Sequence, residues 1–402
     1  MKKYILVSND LTLEIDKSSL YINGETYVPK EGEIFKDVAE KQKREYYKKK
    51  LEKLLLSDNL LLLIGAGTSI GFGGKIMSEL WDEAVKLILE EGTFELFCQA
   101  ISYDTENKDL EALLSESEIN LKSSKELPTW FKDFKLEIEK MIKKECSFNL
   151  IDLDFETHLT LLQKLTQRKI SKSRLKIYNL NYDLSFEQAS QKGGFTIIDG
   201  FSFTQPRVFN GRYYDYDIVR RENSRLSAEE NYVDKVFHLY KPHGSVNWAK
   251  KDTDIIQRDK DEDFHAVMIY PNATKFEHSY EQPFFEVMSR FQIELRKTSS
   301  STLIISGFSL ADKHIMTMVK EAIRQNSSLN VIIVNRSVQY DSGSSKDKEW
   351  SFYRELSKIS PHVTLVAEGF KDFVKNIPYD LSKKPEESFL EKLEELIGKQ
   401  NG

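Results

Sequence analysis

Short, largely apolar runs recur along this chain, at Leu60–Ile64, Leu175–Leu180, Val236–Tyr240, Ser301–Ser306 and Leu329–Val334. Runs of this length suit strands buried on both faces of a parallel sheet. Thr364–Val366 predicts one more. Between them, apolar residues at three- and four-residue spacing predict helices over Ser78–Glu91, Asp109–Glu118, Thr129–Cys146, Phe155–Gln167, Ser185–Gln191 and Tyr280–Thr298, another ending at Gln325, and one over 346–358. Alternation of this kind predicts an α/β fold with a doubly wound sheet, whose ligand sits at the carboxyl ends of the strands. The helices of 78–168 crowd between the first two runs and read as a helical insertion after the first strand.

Residues 1–35 follow another pattern. Tyr4–Val7, Leu11–Ile15 and Leu20–Val28 read as strands, and Asn23-Gly24 is a hairpin signal. We read them as a small N-terminal β accessory segment and a candidate assembly surface. Residues 36–57 predict a charged helix whose lysines, dense over Lys41–Lys50, form a solvated face. The main domain spans 36–376, and 377–402 form a charged helical tail. Residues 193–232 carry Gly193-Gly194, Asp199-Gly200 and Asn210-Gly211 turns with Tyr213, Tyr214 and Tyr216. They read as an irregular loop or small subdomain covering the site. Asp254–Gln257 and Ala266–Tyr270 read as two further strands.

The first apolar run stops at Gly65-Ala66-Gly67, then at two hydroxyl residues, Thr68 and Ser69. Glycines let backbone N–H groups come close to a ligand. A helix over Met77–Leu89 would turn its positive end toward them and favour a phosphate. The stretch predicts a nucleotide diphosphate cradle; a tight strand-to-helix turn without ligand is the plain alternative. Neither common phosphate pattern fits. G-x-G-x-x-G needs glycine where Ile70 stands, and a P-loop ending at Gly74-Lys75 needs glycine at Ser69 and a hydroxyl residue at Ile76.

Composition is that of a soluble globular protein: 402 residues, 40% hydrophobic, 30% charged, net charge −6. The length allows two or three domains, and the charge gives no support for a general nucleic-acid binder. Cys98 and Cys146, far apart and without a signal peptide, suggest a reducing cytoplasm and rule out a four-cysteine zinc ribbon within this chain. No metal is expected. No apolar run approaches the roughly 20 residues that span a bilayer, so a soluble cytoplasmic protein is expected.

Five predicted strand ends gather polar residues: Gly65–Ser69, Asn181-Tyr182-Asp183, His243-Gly244, Ser306-Gly307-Phe308-Ser309 with Asp312, and Asn335. In order, Gly65-Ala-Gly-Thr-Ser, Asn181-Tyr-Asp, Lys241-Pro-His-Gly-Ser-Val-Asn-Trp and Ser306-Gly-Phe-Ser-Leu-Ala-Asp-Lys-His-Ile resemble the sirtuin superfamily, specifically the bacterial sirtuin-like domains of anti-phage defence proteins. The resemblance covers roughly residues 55–375 and implies a sirtuin-type Rossmann-like domain that binds NAD. Protein-deacylating sirtuins follow the glycine turn with Pro-Asp-Phe-Arg and carry a four-cysteine zinc module. Gly73-Gly74-Lys75-Ile76-Met77 stands here instead, without the cysteines, which argues against acyl-lysine deacylation. The defence relatives hydrolyse NAD to nicotinamide and ADP-ribose, and the resemblance implies an NAD glycohydrolase. Such an enzyme must be gated, so a homo-oligomer or a HerA-like ATPase partner is expected.

Nicotinamide leaves a positively charged pyridinium as a neutral molecule and needs no general acid. The enzyme must steady an oxocarbenium-like ribose and orient a nucleophile. On this reading His243, whose imidazole titrates near neutrality, is the base. Asn181 orients the ribose hydroxyls or the water, and Asp183 steadies positive charge or fixes neighbouring groups. Gly65, Ala66, Gly67, Thr68 and Ser69 hold the pyrophosphate, while Gly307, Ser309 and Asn335 face the adenosine half. Each has a structural alternative: His243 bonded to backbone in a turn, Asp183 and Asp312 as helix caps, Trp248 and His158 as core. Arg336 beside Asn335 leaves NADP open as substrate. A silent nucleotide-sensing subunit and an ADP-ribosyltransferase are the rival functions.

Overall fold

The computed structural model describes residues 2–17, 19–89, 92–123, 126–169, 171–220, 232–268, 282–339 and 347–378. The strands are β1 (Lys3–Val7), β2 (Thr12–Ile15), β3 (Leu20–Ile22), β4 (Glu25–Tyr27), β5 (Asn59–Ile64), β6 (Ile88–Leu89), β7 (Gly92–Thr93), β8 (Lys176–Asn179), β9 (Thr196–Ile198), β10 (Val236–Tyr240), β11 (Gly244–Lys251), β12 (Asp254–Gln257), β13 (Ala266–Met268), β14 (Ser301–Ser306), β15 (Leu329–Val334) and β16 (Val363–Val366). The helices are α1 (Phe35–Leu55), α2 (Met77–Ala84), α3 (Phe94–Ala100), α4 (Leu110–Lys122), α5 (Phe131–Cys146), α6 (Glu156–Thr166), α7 (Ser185–Gly193), α8 (Phe284–Leu295), α9 (Lys313–Gln325), α10 (Asp347–Ile359) and α11 (Phe370–Asn376).

One sheet runs β4-β3-β2-β1-β16-β15-β14-β5-β8-β10-β9. From β16 to β9 every pairing is parallel. The period-2 alternation of a strand divides the apolar runs between two cores. Leu61, Leu63, Leu303, Ile305, Val331 and Ile333 meet Val287 and Phe291 of α8 and Ile315 and Val319 of α9. Leu60, Leu62, Ile64, Ile304, Ile332 and Val334 meet α1 and α6 on the other face. This is the doubly wound α/β arrangement that the runs predict.

The N-terminal strands do not stand apart as a sheet of their own. β1 pairs antiparallel with β16, Leu6 opposite Val366, and β2–β4 extend the same sheet. Leu6 and Val7 enter opposite cores, so β1 is buried on both faces at its end. α1 crosses the sheet on Tyr47, Leu51, Leu54 and Leu55. Its lysines are not uniformly solvated. Lys43 is buried and pairs with Glu368 at 2.9 Å and Glu40 at 2.8 Å.

The helical insertion forms a core of its own around Trp81, Phe97, Leu113, Phe131, Phe134 and Ile138, with Phe97 and Phe131 stacked at 4.4 Å. That core also takes in Tyr182 and Val246 from the rim of the sheet. α6 packs on the sheet instead, through Leu161, Leu162 and Leu165. The helix expected over Ser78–Glu91 ends at Ala84, and the chain enters the β6–β7 pair, where β-branched Val85 and Ile88 weaken the helix. Residues 193–232 are not wholly irregular: β9, rich in β-branched residues, pairs with β10 at the sheet edge. β11–β13 make a separate antiparallel sheet. The expected helical tail lies, from residue 379 on, outside the described residues. No helix among the described residues is long and apolar enough to cross a membrane.

Candidate active site at the carboxyl rim

From β5 the chain moves to β8 on one side and later returns through β14 on the other. The loops after β5 and β14 therefore meet where the winding reverses, the place where open α/β sheets bind ligands. Glycine lets them touch. A Cβ on Gly67 would lie 2.8 Å from Gly307 Cα, and one on Gly307, with φ +66°, would lie 2.5 Å from Thr68 N. Gly65 N–H donates to Ser306 O (3.1 Å), Gly67 N–H to Gly307 O (2.8 Å), and the Thr68 and Ser69 N–H groups to Gly65 O and Ala66 O (both 3.0 Å). The Thr68 hydroxyl donates to Gly65 O at 2.9 Å. The expected diphosphate cradle thus spends four of its five N–H groups internally, and the Ala66 N–H alone has no partner among the described residues. The helix expected to turn its positive end toward this turn is α2. It begins at Met77, and Glu79 accepts the Ile76 N–H at 2.8 Å.

Asn181 is tied to the same turn. Its Nδ2 donates to Ser69 Oγ (2.9 Å) and Gly65 O (3.2 Å). The buried Ser69 hydroxyl donates to Asp183 Oδ2 at 2.7 Å, and Asp183 Oδ1 accepts the Ser185 N–H at 3.0 Å where α7 begins. Asp183 therefore serves both the helix start and the glycine turn. Buried Lys241 secures this loop: its Nζ donates to Asp183 O (2.6 Å), Tyr182 O (3.2 Å) and Ser245 Oγ (2.7 Å) and pairs with Glu187 at 3.3 Å. Sequence reasoning gave Lys241 no role, although it stands within the motif around His243.

His243 is buried, its Nε2 3.2 Å from Asp312 Oδ2, a charge contact off the line of a hydrogen bond. Asp312 Oδ1 caps α9, accepting the N–H groups of His314 (2.9 Å) and Ile315 (3.1 Å). Burial alone would lower the imidazole pKa. The Asp312 carboxylate, joined by Glu111, outweighs it and holds His243 above its ordinary 6.5. Burial would likewise raise Asp312, but His243 and the Ile315 N–H keep it below the usual carboxylate value. Glu111, delivered by α4, accepts the Tyr182 hydroxyl at 2.7 Å, and burial pushes its carboxyl up. Sequence reasoning missed Glu111, which lies in the insertion, far along the chain from every motif.

The outer residues separate. Ser309 is exposed and makes no hydrogen bond among the described residues. Asn335 is structural in its contacts: Nδ2 donates to Phe308 O and Oδ1 accepts the Ser337 N–H, both at 2.8 Å. Arg336 is exposed and lies against Gly369. His158 is core, ringed by Phe72, Phe186 and Phe370, and burial pushes its imidazole down to about 4. Trp248 is buried against Phe201. Both thiols are buried, and burial pushes Cys98 up to about 12. Among the described residues, no group of three or more His, Cys, Asp or Glu is placed to share a metal ion.

No curated protein matches the chain. Among solved structures, a mutant Sir2 homologue in complex with ADP-ribose is 11% identical, over 82% of this chain and 94% of that one, with a TM-score of 0.39. Sir2Tm bound to a propionylated peptide gives 12%, 82%, 96% and 0.40. A Sir2 homologue in complex with NAD gives 14%, 82%, 91% and 0.35. A family model described as a SIR2-like domain matches residues 175–356, a stretch that runs from β8 into α10 and holds Asn181, His243, Asp312 and Asn335. That stretch, set within a mixed α/β fold with a mostly parallel central sheet, is thus similar to a SIR2-like domain.

Proposed function

We propose that the protein is an NAD glycohydrolase that releases nicotinamide and ADP-ribose. The observation that carries this reading is the meeting, on one rim, of Asn181 bonded to the glycine turn and His243 paired with Asp312. The nicotinamide end of NAD is a cation, and the carboxylate of Asp312 suits it. Its diphosphate finds Ala66 N–H and the exposed Arg336 guanidinium at the outer rim. The bond from ribose to nicotinamide breaks with its electron pair on the ring nitrogen, and water supplies the hydroxyl that replaces it.

His243 accepts the proton that this water gives up, in its neutral form. Asn181, held by Ser69 and Gly65, orients the sugar or the water, a gain from positioning. Asp183 keeps Ser69, and so Asn181, in place. In a cell, we read this activity as anti-phage defence, restrained by self-assembly or by a HerA-like ATPase, a reading that the sirtuin-like motifs support.

Chromatography of NAD incubated with the pure protein, alone and with such an ATPase, tests the reading. Free ADP-ribose and nicotinamide are expected, and His243→Ala or Asn181→Ala abolishes both. ADP-ribose attached to a macromolecule would make the protein a transferase, and NAD binding without turnover would make it a sensor.

A further inference from the structure

Tyr182 belongs to two parts of the molecule at once. Its backbone lies between Asn181 and Asp183, and its carbonyl accepts from Lys241 Nζ (3.2 Å), Ser245 Oγ (3.3 Å) and the Val246 N–H (3.1 Å). Its ring leaves the sheet and enters the core of the helical insertion. There its hydroxyl donates to Glu111 Oε1, in the first turn of α4. A buried phenol needs a partner, and a carboxylate is costly to bury. An apolar ring would have filled the same space without either demand. The pair therefore fixes direction as well as filling volume.

We infer that Tyr182 and Glu111 are positioning residues, whose hydrogen bond sets the Asn181–Asp183 loop by the placement of the helical insertion. Asn181 and Asp183 both bond Ser69, and Asn181 also bonds Gly65 O, so a loop that pivots at Tyr182 moves both away from the glycine turn together. The kinetic consequence rests on the hydrolase reading; the mechanical one does not.

Three variants test it. Tyr182→Phe keeps the ring and loses the donor, Glu111→Leu loses the acceptor, and Glu111→Gln keeps an acceptor without the charge. Tyr182→Phe and Glu111→Leu are expected to lower kcat roughly 10- to 100-fold, the scale of a misplaced catalytic group, with KM within about twofold. Amide exchange in a peptide covering 178–186 is expected to quicken in both. Glu111→Gln restores the exchange and most of kcat. Tyr182→Phe with unchanged exchange overturns the inference, as does Glu111→Gln behaving like Glu111→Leu. If the wild-type protein forms no nicotinamide, the hydrolase reading fails and the exchange comparison still decides the tie.

Discussion

His243 Nε2 and Asp312 Oδ2 stand 3.2 Å apart, although their strands, β10 and β14, have β5 and β8 between them in the sheet. The contact thus spans the ends of both intervening strands, where Gly65 and Asn181 lie. Asp312 does not swing freely to make it, because its other oxygen holds the first turn of α9. An imidazole beside so fixed a carboxylate has its proton affinity set by the fold.

The proposed hydrolysis would carry a defined pH dependence. A base must be unprotonated to act, and Asp312 and Glu111 hold His243 above 6.5. Hydrolysis should therefore rise with pH along a limb displaced above that value. Asp312→Asn keeps a capping side chain and removes the charge, so the limb should move to lower pH. Profiles of kcat/KM against pH measure it; a limb unmoved in Asp312→Asn would mean that another group titrates.

His158 predicts acid sensitivity. Folded, it stays neutral to about 4, whereas the unfolded chain takes up its proton near 6.5. The unfolded state binds more protons between these values, so stability falls as pH drops through that window, by at most about 3 kcal/mol. In His158→Leu the Tm should decline less between pH 7 and pH 5. An equal decline in both proteins would assign the acid sensitivity elsewhere.

Gly307 and Gly71 separate crowding from backbone strain. Both have positive φ, +66° and +83°, but a Cβ on Gly71 meets nothing within 4 Å, while one on Gly307 meets Thr68 N. Gly307→Ala should cost about 1–3 kcal/mol more than Gly71→Ala. Urea unfolding of the two variants checks this, and equal losses would remove the loop-to-loop contact from the account.

Lys43→Met leaves Glu368 buried beside α1 without its cation. Removing one partner of such a pair costs about 3–5 kcal/mol, whereas replacing both with apolar residues costs little. Lys43→Met with Glu368→Leu should therefore recover most of the stability lost by Lys43→Met alone, as read by urea midpoints.

The sheet was legible because its evidence is local. Leu60–Ile64 and Leu303–Ile305 are apolar at every position, and both faces prove to be covered. The edge strand β9 was not, since Thr196-Ile-Ile is too short to outweigh the turns around it. Site residues divide the same way. Asn181 and His243 stand in motifs at strand ends, so their arrival at one rim could be read ahead. Glycine's purpose could not: Gly67 looks the same whether it faces a phosphate or Gly307. Glu111 was invisible because only the folding of the insertion brings α4 over Tyr182.

The pairing of β1 with β16 gives the two ends of the domain a shared fate. Leu6 cannot find Val366 until every residue between them has been synthesised, so this seam is a contact of very long sequence separation and slow to close. Until it closes, β16 offers an unpaired edge to any neighbouring chain. Trimming the first strand would leave that edge bare permanently, and aggregation should mark such a truncation well before the parallel centre loosens.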